Sequence, residues 1–366
     1  MSASVSNWFV KARDGFGGLF AYAPKHVISP TVDLLCVGLG SIIVLAPLVL
    51  FGDTTILGPG ASTIALLTLF VNAPHFMASY RILYRSKESI VRHPWASMIV
   101  PAGLFAYLAF ALITAEQDIS RLLLANTVSG LYLAWHYTGQ AWGMMATFAH
   151  LAGKPFSRLE RILIRTGLRL QLAWHFSWFL NYEGSATPSP WLLLNKIYFA
   201  MSCLTVVAFA LAVAGFVLYR RRTGKLPPLR AGVAWLALCF WYGAMARHPE
   251  TIFWAQIAHA VQYLSFPVRL EINQYEREHP GDHGKAILHG GLYFVILIAV
   301  GKAVEWCSKY IGVDLVGDLF GVVSGSKFPL AVLAFVNIHH FFIDGCIWKI
   351  SNRKVSEDLF AHLKKE

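Results

Sequence analysis

Charged side chains are scarce in this sequence. Only 14% of its 366 residues are Asp, Glu, Lys or Arg, and 56% are hydrophobic. Soluble domains carry about 25% charged residues, so this chain has too few groups to keep a soluble surface hydrated. The composition therefore predicts an all-α, polytopic integral membrane bundle and argues against a soluble enzyme.

Several motifs of known chemistry are also missing. The five cysteines include no C-x-x-C pair, which excludes a disulfide framework and a thiolate metal site. No Walker loop, G-x-G-x-x-G, G-x-S-x-G or H-E-x-x-H is present. The first thirty residues lack the pattern of a cleaved signal peptide, and we expect none to be removed.

Long apolar runs are what the sequence has in abundance. Most of them are long enough to cross a hydrocarbon layer of about 30 Å at about 1.5 Å per residue. We therefore predict ten transmembrane helices. The runs cover residues 32–51, 61–84, 95–115, 121–148, 159–182, 196–219, 230–246, 251–268, 286–304 and 329–348.

The positive charge is distributed unevenly between the predicted loops. With the N-terminus inside and the spans alternating, most Lys and Arg residues fall on the inner side, so both termini are predicted to be cytoplasmic. The net charge of +11 then reflects topology and contact with anionic lipid, and no nucleic-acid partner is expected. The outer segments hold only Arg121, Lys196, Arg247, Lys302, Lys309 and Lys327.

The predicted organisation is a single membrane-embedded domain over residues 1–366. Residues 1–30 form a cytoplasmic or interfacial segment, residues 31–348 the bundle, and residues 349–366 a cytoplasmic tail. We expect a multi-pass protein of the bacterial inner membrane, with membrane lipids as partners.

Histidines recur in the middle of the predicted spans. His75 lies in the second span, His136 in the fourth, His259 in the eighth, and the pair His339 and His340 in the tenth. In the predicted topology each lies roughly 0.4 to 0.6 of the way across the layer. An ionisable residue at that depth is costly and marks a functional site. Neutral imidazoles in a dry interior are good ligands for a transition metal, so we predict a metal site.

Four of these five histidines have an amide or carboxyl group three or four residues away, on the same helical face. Such groups orient metal-bound imidazoles by accepting their second N–H. Asp344 is also a candidate for a direct carboxylate ligand. The pairs are His75 with Asn72, His136 with Gln140, His259 with Gln256 and Gln262, and His340 with Asp344.

A structural interpretation competes with the metal site. A single intramembrane histidine is often a helix–helix hydrogen-bond partner, worth about 0.6 kcal/mol on average. A structural role explains any one of these histidines well. It explains less well why all of them lie at the same depth in the membrane. His175 lies nearer the outer end of its span and is the doubtful member of the set.

Arginines form a ladder at the start of the fifth span. Arg158, Arg161 and Arg165 are expected to reach lipid phosphates. Arg169 is deeper, and we predict that it pairs with a buried acid such as Asp344 or with a substrate carboxylate.

The predicted function is that of an integral-membrane oxidoreductase of oxygenase, hydroxylase or desaturase type. A non-haem iron would be held at mid-depth and act on a lipid-soluble substrate, with a redox partner supplying electrons. Iron is preferred because imidazole with carboxylate suits Fe(II), although copper or zinc would accept the same ligands. Asp344, Tyr137 and Tyr263 are the predicted catalytic residues, and Arg169 and Phe341 the predicted substrate contacts.

Two other functions fit the same residues. Two facing histidines could ligate one b-type haem in a membrane electron carrier. A transporter could use the intramembrane histidines as an ion or substrate pathway.

Overall fold

The architecture is helical throughout the part of the chain that the structure, a computed structural model, describes. Those residues are 19–21, 25–51, 60, 63, 66–182, 189–311, 327–348 and 353–364. Twelve α-helices are found there. They are α1 Pro30–Phe51, α2 Ala73–Tyr84, α3 Lys87–Arg92, α4 Trp95–Ile113, α5 Ser120–Leu151, α6 Arg158–Tyr182, α7 Leu192–Thr223, α8 Leu229–Arg247, α9 Ile252–Glu278, α10 His283–Trp306, α11 Lys327–Ile347 and α12 Arg353–Leu359. The π-helical turns Leu35–Leu39 and Trp95–Ile99 are counted with α1 and α4, and two further π-helical turns, Thr68–Asn72 and Cys307–Ile311, adjoin α2 and α10.

The apolar runs of the sequence coincide with ten of these helices, which confirms the all-α prediction. Among the described residues, α1, α4, α7, α8, α10 and α11 are long and apolar enough to cross a membrane. Six such helices indicate a multi-pass membrane protein. The number of ten spans and the orientation of the termini stay predictions; most of residues 1–30, together with residues 349–352 and 365–366, lies outside the described part.

The other four runs, in α2, α5, α6 and α9, are more polar, and they carry His75, His136, His175 and His259. These four histidines are all buried. Polar side chains lower the hydropathy of a helix, and burial inside a bundle keeps them from lipid. Polar groups also occur on α11, which carries His340 and Asp344 although it is one of the six apolar helices.

The chain forms two compact units. Unit 1 comprises Met1–Gly58 and Ala134–His259, and unit 2 comprises Pro59–Leu133 and Ala260–Glu366, so the division falls within α5 and α9. The predicted single domain over the whole chain stays a prediction.

Close helix packing and a buried ion pair hold unit 1 together. A Cβ on Gly167 of α6 would lie 2.5 Å from the carbonyl oxygen of Ala208 on α7, so only glycine allows this approach. Asp33 at the start of α1 accepts a hydrogen bond of 2.9 Å from Arg230 at the start of α8. Asp33 also accepts main-chain hydrogen bonds from Val27 and Ile28, at 2.8 and 2.9 Å. These bonds satisfy a carboxylate that would otherwise be costly to bury.

Helix α2 is central to unit 2. Its Ala73 packs against Gly301 of α10, where an added Cβ would lie 2.6 Å from the alanine Cβ. Leu83 clusters with Ala96 of α4 and Ile343 of α11. With neighbours on three sides, α2 holds its histidine in a fixed position facing α11.

The C-terminal helix α12 is anchored to α9 in unit 2. The side-chain amide of Asn273 donates hydrogen bonds to the carbonyl oxygens of Asp358 and Leu359, at 3.1 and 2.8 Å. Arg277 forms an ion pair with Asp358. The end of the predicted cytoplasmic tail is thus a packed element of this unit.

Candidate metal centre

A buried group of two histidines and one aspartate lies in unit 2. His75 belongs to α2, and His340 and Asp344 lie one turn apart on α11. Both histidines are 0% exposed, and their ring centroids are 4.4 Å apart. Nε2 of His340 is 3.3 Å from Oδ2 of Asp344. Each of the three residues offers a ligand atom within 4.8 Å of the other two.

These separations fit one shared metal ion. Nitrogen and oxygen ligands lie about 2.0–2.2 Å from a transition metal, so two of them are at most about 4.4 Å apart. The ligand atoms of the three residues lie within 4.8 Å of one another, which is close to that range. Two imidazoles and one carboxylate are also the donor set of the facial triad that binds Fe(II).

Two hydroxyl groups hold the aspartate in place. Oδ1 of Asp344 accepts a hydrogen bond of 2.6 Å from Ser79 and lies 3.2 Å from the hydroxyl of Tyr263, and the two hydroxyl oxygens are themselves hydrogen-bonded at 2.5 Å. The other oxygen, Oδ2, faces His340. Partners of this kind fix the orientation of a metal-binding carboxylate. Ser79 belongs to no motif that would have singled it out in the sequence, although its place four residues after His75 puts both on one face of α2.

Aromatic rings surround His75 and His340. The ring of Tyr263 contacts His75 edge-on, with centroids 4.4 Å apart. Phe76 lies 5.0 Å from His340, and Phe341 stacks on Tyr132 at 5.6 Å. Such walls keep water away and leave an apolar setting. The predicted catalytic role of Tyr263 and substrate contact of Phe341 stay predictions.

His339 differs from its neighbour His340. Its Nε2 donates a hydrogen bond of 2.7 Å to the carbonyl oxygen of Ala96. Its Nδ1 is 3.0 Å from the hydroxyl of Tyr80 and therefore accepts the hydroxyl proton. Adjacent helix residues point about 100° apart, so only one of the two histidines can face His75. Because both nitrogens of His339 are engaged, we leave it out of the proposed ligand set.

A second pair of predicted ligands lies in unit 1. The rings of His136 and His259 are perpendicular, with centroids 5.3 Å apart. Tyr137 lies 4.5 Å from His259. The side-chain amide of Gln140 donates a hydrogen bond of 2.7 Å to the carbonyl oxygen of His259, so it links α5 to the main chain of α9. Metal binding by His136 and His259 stays a prediction.

The remaining predicted residues are less closely tied to these groups. Asn72 is buried, and its Oδ1 has no hydrogen-bond partner among the described residues. Gln262 is buried and Gln256 half-buried. Arg169 is exposed on α6, as are the three arginines before it in the ladder, and its predicted substrate contact stays a prediction. His175 is buried in unit 1, with Nδ1 3.0 Å from the hydroxyl of Tyr242.

The fold and the site together define a class of protein. It is a helical, multi-pass membrane protein with a buried histidine–aspartate group that could hold a metal ion. No family model, curated protein or solved structure matches the chain. Function is therefore argued from the site and not from a fold relative.

Proposed function

We propose that the protein is an integral-membrane oxidoreductase that holds a non-haem iron with His75, His340 and Asp344. The observation that carries this proposal is the buried group of two imidazoles and one carboxylate with ligand atoms within 4.8 Å of one another. This donor set suits Fe(II) and leaves coordination positions open. Open positions are the mark of a catalytic site, whereas structural sites are closed.

The proposed reaction uses O₂ and a lipid-soluble substrate. Iron in such a set would supply the one-electron chemistry that O₂ needs to react with a C–H bond. In a hydroxylation, O₂ with two electrons and two protons from a redox partner gives one C–OH group and one water. His136 and His259 remain further candidate ligands from the sequence, and their substitution belongs to the same test.

The protein residues have defined roles in this proposal. Ser79 and Tyr263 hold Oδ1 of Asp344, which leaves Oδ2 to face His340 and the metal. Full burial of both imidazoles keeps them out of water and strengthens every electrostatic interaction at the site. Apolar substrates and O₂ both partition into the bilayer, so neither needs an aqueous route to such a centre.

The geometry favours a non-haem metal over a haem. Two imidazoles on opposite sides of a haem iron keep their ring centroids about 6 Å apart, because each metal–nitrogen bond is about 2 Å long. The centroids of His75 and His340 are 4.4 Å apart. Those of His136 and His259 are 5.3 Å apart at a perpendicular angle. Both separations are shorter than the spacing across a haem.

Oxygen uptake by the loaded protein tests the proposed function. Purified protein in lipid nanodiscs is loaded with Fe(II) under argon, supplied with a reductant and exposed to ¹⁸O₂, with lipids analysed by mass spectrometry. We expect uptake with iron and not with zinc, and loss of uptake in Asp344→Ala. His339→Gln is the matched control and should retain uptake. Equal uptake by wild type and Asp344→Ala would contradict the proposal, and ¹⁸O in a lipid product would distinguish an oxygenase from a desaturase.

A further inference from the structure

A groove with a volume of about 310 Å³ lies on unit 2, between α2, α9 and α10. It runs along α10 from His289 to Val300, a length of about 16 Å at the helical rise per residue. Leu292, Ile296 and Val300 line it and are 55%, 50% and 45% exposed. On a membrane-spanning helix, exposed aliphatic side chains face lipid. The groove is therefore open to the hydrocarbon layer along its side.

A buried hydroxyl group lies in the wall of the groove. Tyr293 is 6% exposed, and its hydroxyl has no hydrogen-bond partner among the residues that the structure describes. Buried polar groups are nearly always paired, and an exception calls for an explanation. A ligand with an oxygen atom in the groove would supply the missing partner.

The end of the groove near His289 carries positive charge in excess. Glu271 lies 3.9 Å from Arg85 and 3.7 Å from His289, so its carboxylate is already balanced. Arg81 also lines the groove, is exposed, and has no ion-pair partner in the described part of the chain. Two arginines and one glutamate leave one uncompensated cation at this end. The opposite end, at Leu297 and Val300, is aliphatic.

We propose that this groove binds a single-chain lipid with an acidic headgroup, such as a long-chain fatty acid. The hydrocarbon chain would lie along α10, and the carboxylate would pair with Arg81, since a guanidinium matches a carboxylate with two parallel hydrogen bonds. Tyr293 would donate a further hydrogen bond to a headgroup oxygen. A volume at the lower end of the usual range of about 300–1,000 Å³ suits one chain and not two.

The proposed lipid site does not depend on metal binding by His75, His340 and Asp344, because none of the residues that line the groove is a proposed metal ligand. The two sites are nevertheless neighbours within unit 2. Tyr293 and Leu297 pack in one cluster with Tyr263, whose hydroxyl bonds to Asp344. A lipid in the groove would lie one layer of side chains away from the group that holds the aspartate.

Photocrosslinking with a diazirine-bearing palmitic acid tests this proposal on the purified full chain. Ile296→Trp fills the groove, and Val295→Trp is its matched control, because Val295 is 58% exposed on the same helix but does not line the groove. Arg81→Gln removes the headgroup partner, with Lys87→Gln as the control for an exposed cation outside the groove. Gel filtration and metal content are followed in parallel, so a folding defect or a metal defect is recognised separately.

The expected result is saturable labelling of the groove residues that unlabelled palmitate displaces and hexadecanol displaces poorly. Ile296→Trp should abolish the labelling and Val295→Trp should leave it unchanged. Arg81→Gln should weaken palmitate binding about tenfold or more, the cost of a hydrogen bond to a charged group. The proposal is overturned if both tryptophan variants label alike, if label spreads over the whole exposed face of α10, or if palmitate and hexadecanol compete equally.

Discussion

Removing the hydroxyl of Ser79 should weaken metal binding without removing a ligand. Ser79 donates a hydrogen bond of 2.6 Å to Oδ1 of Asp344, and the hydroxyl of Tyr263 lies 3.2 Å from the same oxygen and 2.5 Å from the hydroxyl of Ser79. Partners of this kind are worth about 10–100-fold in metal affinity. Because Tyr263 remains in Ser79→Ala, we expect a loss near the lower bound, about tenfold, or about 1.4 kcal/mol.

Tyr263→Phe and the double variant bracket the effect of Ser79→Ala. Tyr263→Phe removes the 3.2 Å contact with Oδ1 and the 2.5 Å contact with Ser79 but keeps the 2.6 Å hydrogen bond from Ser79 to Asp344, so its effect should be smaller than that of Ser79→Ala. The double variant should lose about 100-fold, and the two losses need not add, because both hydroxyls hold one oxygen atom.

The assay is a competition for Fe(II) between the apo-protein and a chelator of known affinity, under argon. Ser97→Ala is the matched control, because Ser97 is a buried serine of unit 2 whose hydroxyl donates to the carbonyl oxygens of Ile90 and His93. It should bind iron as wild type does. The reasoning is refuted if Ser79→Ala keeps full affinity or if both serine variants lose affinity equally.

Three further predictions concern the stability of the two units. Arg230→Met leaves the buried carboxylate of Asp33 uncompensated and should cost about 3–5 kcal/mol in detergent unfolding; a loss below about 1 kcal/mol would contradict this. Gly167→Ala should cost about 1–3 kcal/mol through overpacking, whereas Gly143→Ala, with open space at its Cβ, should be neutral in the same assay. Asn273→Leu should release α12 and make the C-terminus sensitive to limited proteolysis at protease concentrations that wild type resists; equal digestion rates would refute this.

The helices could be predicted from sequence more securely than their membrane crossings. Each apolar run coincides with a helix, because a long apolar run buries its backbone polar groups only as a helix. In the run at 61–84 the described residues from 66 to 84 are helical without a break, with a π-helical turn at Thr68–Asn72 leading into α2. Composition identifies α1 and α7 as spans but not α5 or α9. The polar faces of α5 and α9 are covered by neighbouring helices, and a single sequence does not show which helices pack together.

Only part of the candidate site could be predicted from the sequence. His75, His340 and Asp344 stand out because ionisable groups are rare within apolar runs, and the four-residue spacing on α11 places two of them together. Ser79 did not stand out, since a serine in a span is commonplace. The difference between His339 and His340 depends on the rotation of α11 about its axis, which the contacts with α2 and α4 determine.

The proposed metal centre is tested by iron content and an optical spectrum, measured on wild type, His340→Ala and His339→Ala purified in parallel. We expect close to one iron per chain without a Soret band in wild type, loss of that iron in His340→Ala, and its retention in His339→Ala. A Soret band, or iron retained in His340→Ala at the wild-type level, would contradict the proposed centre.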